Sequence, residues 1–181
     1  MFIEYEETPN PHSLKFLPGR VLMDHGTAEF KNREEAESAP LAARLFEIDG
    51  VTNVFVARDF VSVSKSESRD WDEMKARIMA VMMEHLSAGL PVVHADAAQD
   101  TPEDDSEIGR QVRDILESHI KPAVAMDGGN IEYVRFDDGV VYLRLEGACA
   151  GCPSASATLK QGIEGLLKHY VPEVIRVEAA S

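Results

Sequence analysis

Cysteine is scarce in this sequence. Two among 181 residues cannot build a disulfide-stapled scaffold; in a reducing compartment a close pair of thiols points to metal binding or redox chemistry. Basic charge is also short, with 18 Lys and Arg against 32 Asp and Glu and a net charge of −14. Nucleic acid is gripped by a basic patch, and anionic membrane surfaces also attract basic segments. Neither is therefore expected as a partner, and the acidity reads chiefly as a source of solubility. No apolar run approaches the roughly 20 residues that span a bilayer. The opening residues, Met1-Phe2-Ile3-Glu4-Tyr5-Glu6-Glu7, hold no basic region followed by an apolar run and are acidic rather than Arg-rich. Neither a secretory signal nor a transit peptide is expected from them.

What is present suits a soluble globular protein: 44% hydrophobic and 28% charged residues, over a length that fits one large domain or two small ones. Alternation predicts strands over residues 2–6 and 13–17, joined by the turn Thr8-Pro9-Asn10-Pro11. Residues 22–38 have little pattern. Ser38 is expected to cap a helix with Pro40 in its first turn and Leu41, Leu45 and Ile48 at helical spacing. The β-branched runs at 51–56 and 60–64 predict a hairpin. Asp70 and Glu73 suggest a capping box for a helix to about Ser87. Its Trp71, Met74, Ile78, Met82 and Leu86 form a stripe more in keeping with core than with a binding face.

A pattern-free linker at 92–101 leads to a helix with Thr101 as cap and Pro102 at its first position, stopping at Lys121-Pro122. Gly128-Gly129 predicts a tight turn, since a phosphate loop would need a following helix and lysine. A hairpin follows at 131–136 and 140–145 around Asp137-Asp138-Gly139, then a helix from Pro153 and a last strand at 174–177. The fold class expected is α+β (mixed α/β): two small domains, 1–91 and 102–181, each a short sheet with helices packed on it. Both contain a hairpin followed by a helix, but no residue pattern marks them as repeats.

Both cysteines lie in Gly147-Ala148-Cys149-Ala150-Gly151-Cys152-Pro153-Ser154, between a strand and a helix. Small neighbours should let the loop turn tightly and leave the sulfurs accessible, with Cys152 near the helix N-cap, where thiolate is favoured. Three chemistries compete. A structural zinc site wants four protein ligands, yet His169 is 17 residues beyond Cys152, about 25 Å along a helix at ~1.5 Å per residue. Thiol–disulfide exchange uses a C-x-x-C at a helix start, but here Ala148 precedes the pair, Ala-Gly intervenes and proline follows the second sulfur. An iron–sulfur cluster wants four thiolates; Cys149 and Cys152 would supply half, and a two-fold homodimer the other half.

The C-terminal stretch resembles the NifU-like domain of the Nfu family in Asp127-Gly128-Gly129, the hairpin through Leu145, the cysteine loop, and Thr158-Leu159-Lys160-Gln161-Gly162-Ile163-Glu164. The first half resembles the Nfu N-terminal domain in Thr8-Pro9-Asn10-Pro11, Ser13-Leu14-Lys15-Phe16, Gly26-Thr27-Ala28-Glu29-Phe30, residues 38–48 and Asp59-Phe60-Val61-Ser62-Val63. The resemblance covers nearly everything outside the linker. It implies a non-enzymatic iron–sulfur scaffold or carrier that binds a 4Fe–4S cluster (2Fe–2S being equally compatible with four thiolates) through Cys149 and Cys152, shared with a second copy. It implies apo iron–sulfur client proteins and upstream cluster-assembly proteins as partners. The location it implies is the cytoplasm of a bacterium, or the mitochondrial matrix for a processed eukaryotic form.

Overall fold

The computed structural model describes residues 2–94, 106–149 and 153–180. The chain divides into two compact units, residues 1–100 and 101–181. Mixed sheets and helices in each give the α+β class expected.

The first unit is a five-stranded sheet in the order β1-β2-β5-β4-β3. Its strands are β1 (Glu4–Glu7), β2 (Ser13–Leu17), β3 (Ala28–Phe30), β4 (Val51–Val56) and β5 (Val61–Lys65), all antiparallel. Alternation places Leu14 and Phe16 of β2, Val54 and Val56 of β4, and Val61 and Val63 of β5 in one core. Onto them pack Leu41 and Leu45 of helix α1 (Pro40–Phe46) and Met74, Ile78 and Met82 of α2 (Trp71–Ser87). Trp71 packs partly against this core while its indole N–H donates to the Pro11 carbonyl at 3.0 Å. Asp70 caps α2, accepting the Asp72 N–H at 3.2 Å.

Three local expectations change here. Ser38 is not a cap: it ends a 3₁₀ turn at Glu35–Ser38, and Ala39 takes the N-cap position with no side-chain bond. Pro40 explains why that suffices, because it brings one fewer N–H to be satisfied. Residues 28–30, within the stretch read as patternless, form β3 against β4. And the chain beyond Pro91 is not yet linker: Val92 and Val93 pack against this core and the His94 N–H donates to the Ser38 carbonyl at 3.0 Å.

In the second unit, Thr101 and Pro102 lie outside the described residues. Helix α3 (Glu107–Ile115) is capped by Ser106, whose hydroxyl accepts the Gly109 N–H at 3.1 Å. Pro122 does not stop the helical run. A π turn at Leu116–Ile120 widens the backbone, and α4 (Lys121–Met126) restarts with Pro122 in its first turn, where a missing N–H is harmless. Strands β6 (Gly129–Asp137) and β7 (Val140–Gly147) form the expected hairpin. Asp138 (φ 48°) and Gly139 (φ 81°) give the positive φ pair that a tight right-twisted hairpin needs. Helix α5 (Pro153–Tyr170) then carries the chain over the sheet to β8 (Arg176–Ala179), which pairs parallel with β7. That strand begins two residues later than its apolar pattern suggests. Val174 turns back onto the Val171 carbonyl, and the Ile175 N–H donates to Gly139. The core is Val112, Leu116, Ile131, Tyr133, Leu143, Ile163 and Leu167, with Cys149 itself a member.

Candidate metal centre

Cys149 lies two residues beyond the end of β7, at the open end of the β6–β7 hairpin. Here Gly147 (φ 67°) ends the strand opposite Gly129. The Ala148 N–H donates to the Gly128 carbonyl at 3.2 Å, which ties the start of the cysteine loop to the turn between α4 and β6. Gly128 has φ 79°, a conformation a side chain would strain. The tight turn read from Gly128-Gly129 is therefore present.

The second glycine does something the sequence reading did not assign. A Cβ at Gly129 would lie 2.5 Å from the Cys149 sulfur, 2.9 Å from the Glu146 carbonyl oxygen and 3.1 Å from the Cys149 Cβ. The sulfur thus occupies the space that a side chain at 129 would take. Cys149 is only 9% exposed, so the expectation of an accessible sulfur fails for this cysteine. Its sulfur is seated against β6, in the space that Gly129 leaves open. Cys152, expected near the N-cap of α5, lies outside the described residues.

Beside the loop, a chain of polar contacts crosses the end of the hairpin. Glu146, buried at 1% exposure, accepts from Arg144 Nε at 2.9 Å and from Asn130 Nδ2 at 3.5 Å. Asn130 also donates to Glu132 at 2.9 Å, and Lys121 Nζ reaches Glu132 at 3.1 Å and Glu117 at 3.0 Å. Burial works against the Lys121 charge, but the Glu117 and Glu132 carboxylates outweigh it and hold its pKa above the ordinary lysine value. The partners satisfy a carboxylate that would be costly to bury alone. They also link β6, β7 and α4 where the cysteine loop begins.

His169, weighed as a zinc ligand, is placed elsewhere, together with His119. His119 stacks on Tyr170 with ring centroids 5.8 Å apart, and His169 meets the same ring edge-on at 5.0 Å, at the far end of α5 from Pro153. Among the described residues, no three His, Cys, Asp or Glu side chains come together as a metal-holding group. None of the described helices is long and apolar enough to cross a membrane.

Comparison with known proteins accounts for both units. The family model "Scaffold protein Nfu/NifU N terminal" matches residues 3–89, and "NifU-like domain" matches residues 112–178. The chain is 51% identical over 185 aligned positions to NifU-like protein 5, mitochondrial, of Arabidopsis thaliana, covering 98% of this chain and 67% of that protein. It is 50% identical to NifU-like protein 4, mitochondrial, of the same plant, covering 98% and 65%. The NFU1 iron-sulfur cluster scaffold homolog, mitochondrial, of Drosophila erecta is 44% identical, with 98% and 64% covered. The chain thus spans about two thirds of the length of these relatives. It belongs to the Nfu/NifU-like family of iron–sulfur cluster scaffold proteins.

Proposed function

We propose that this chain is a non-enzymatic carrier that holds a 4Fe–4S cluster between two copies of itself, each supplying Cys149 and Cys152, and passes it to apo iron–sulfur proteins. The observation that carries this reading is the ligand count. The chain's only two cysteines fall within the NifU-like match, and a cluster wants four thiolates. A two-fold homodimer is the simplest way to double an incomplete set.

Delivery proceeds by ligand exchange. A client thiol binds iron as thiolate, its proton passes to the departing cysteine of the carrier, and the iron keeps its oxidation state. Upstream assembly proteins supply the cluster. The first module, residues 1–91, has no cysteine and contributes no thiolate ligand. These relatives are named as mitochondrial, which favours the mitochondrial matrix over a bacterial cytoplasm.

Anaerobic reconstitution with iron and sulfide tests the proposal. The expected product is a brown dimer with about one 4Fe–4S cluster per two chains; a colourless monomer overturns it. Iron and zinc analysis of anaerobically purified protein separates the alternatives. A thiol–disulfide oxidoreductase turns over with no iron, and a zinc protein arrives with zinc already bound.

A further inference from the structure

We propose that Gly129 is a positioning residue for Cys149. By carrying no side chain, it gives the end of β6 a seat in which the Cys149 sulfur is stored away from solvent. The inference deepens the carrier reading and rests on it for its biological sense, though its geometry stands without iron. The seat is defined on two sides: the Glu146 carbonyl would lie 2.9 Å from a Cβ at 129, and the sulfur itself 2.5 Å away. Two backbone constraints hold it in register, the Gly129–Gly147 pairing and the Ala148 N–H bond to Gly128.

A carrier without cargo has uncoordinated thiols to protect. Thiolates in contact with solvent oxidise to sulfenic acid and disulfides, and accessibility governs the rate. A sulfur seated at 9% exposure is shielded from oxidants, and loading a cluster draws it off Gly129. A methyl group at 129 would clash with the sulfur and push it outward, making the thiol more reactive even while it destabilises the hairpin end.

The test uses the full chain, reduced and iron-free, with Cys152→Ser so that Cys149 is the only thiol. Modification by iodoacetamide is followed by intact mass. In the folded protein Cys149 should react at least about tenfold more slowly than in urea, because reaction requires local opening. Adding Gly129→Ala should raise the folded rate several-fold, to within about threefold of the unfolded rate. Gly165→Ala is the control for general changes in stability: a Cβ there meets nothing within 4 Å, and the Cys149 rate should not rise. Equal rates in folded and unfolded parent overturn the proposal, as does a folded Gly129→Ala protein that reacts no faster than its parent. Should Gly129→Ala not fold, the folded-to-unfolded ratio of the parent decides alone. With no iron present, this result is independent of reconstitution: failure there would sink the carrier reading and leave the seat standing, and the reverse also holds.

Discussion

The two units solve different problems with similar elements. The first makes a five-stranded antiparallel sheet whose core residues come from strand alternation and helical stripes. Its polar groups fit into that plan: Lys15, buried on β2 between β1 and β5, lies with its ammonium 4.7 Å from the Phe60 ring centroid and 3.7 Å from Glu6. The second has three strands, one of them parallel and reached over α5. A cysteine belongs to its core, and a buried glutamate sits three residues away. One unit is organised chiefly by apolar burial. The other gives up part of its core to hold a reactive group in a set place, and glycine is the residue that makes the space.

That contrast predicts where mutations register. The largest effect should come from Phe16→Ala in the first unit, since Phe16 is fully buried and such truncations cost about 3–5 kcal/mol. The single Trp of the chain, Trp71, sits on this unit, so its fluorescence reports the loss in a urea titration. Amide protection of Ile131 and Leu143 should hold. Loss of protection in both units together would break the contrast. Next is Leu167→Ala in the second unit, also fully buried, at about 2–5 kcal/mol. There the Trp71 transition should stay put while Cys149 becomes faster to alkylate. An unchanged Cys149 rate would separate the thiol from the core that surrounds it.

Glu146→Gln is expected to cost less, about 1–3 kcal/mol, because the buried carboxylate loses its charge-assisted bond to Arg144. Ser106→Ala should cost about 1 kcal/mol through the lost cap on α3. Thermal unfolding of the second unit, followed by amide exchange, ranks the two. An equal or larger loss for Ser106→Ala would mean that the polar chain around Glu146 does little to fix the hairpin end.

How much of this was legible in the sequence follows the same division. The helix α2 and the two hairpins were readable because periodicity and turn residues act locally, over a few positions each. Strand β3 was not. Its three residues pair only at a sheet edge, too short for alternation to register. Pro122 misled because a proline ends a helix only when its missing N–H would fall in the interior. The π turn before it moved that position to a new first turn. The cysteine motif was legible as chemistry, but its burial was a matter of strand register. Even so, the signal existed. Counting back from the Asp138-Gly139 turn sets residue 129 opposite 148, and a bulge between Tyr133 and Arg135 shifts it to Gly147. The Gly-Gly read as a turn could therefore have been placed beside the cysteine loop, and the need for two glycines rather than one was the clue.

The smallest predicted effect is also the most local, and it sharpens the contrast by pH. Glu164 on α5 accepts from Lys168 Nζ at 2.9 Å and from the Val177 N–H at 3.2 Å. The Lys168 bond first, then the Val177 bond, hold its carboxyl below the ordinary value of 4.5. A depressed carboxylate stabilises the fold above its ordinary pKa, and that contribution is lost as pH falls through the folded value. Lys121 has the opposite sign. Its raised pKa gives a contribution that is complete below the ordinary 10.5 and is lost as pH rises through the folded value. On acidification, then, the Val177 amide should be among the first in β8 to lose protection, once exchange is corrected for its intrinsic pH dependence. Its neighbours on β7 should hold. Glu164→Gln should remove the pH dependence at Val177, because the amide oxygen still accepts but no longer titrates. Flat Val177 protection from about pH 6 to pH 3 would show that the carboxylate does not anchor the strand, and that the β7 pairing, the Lys160–Glu178 bond and the burial of Val177 hold β8 without it.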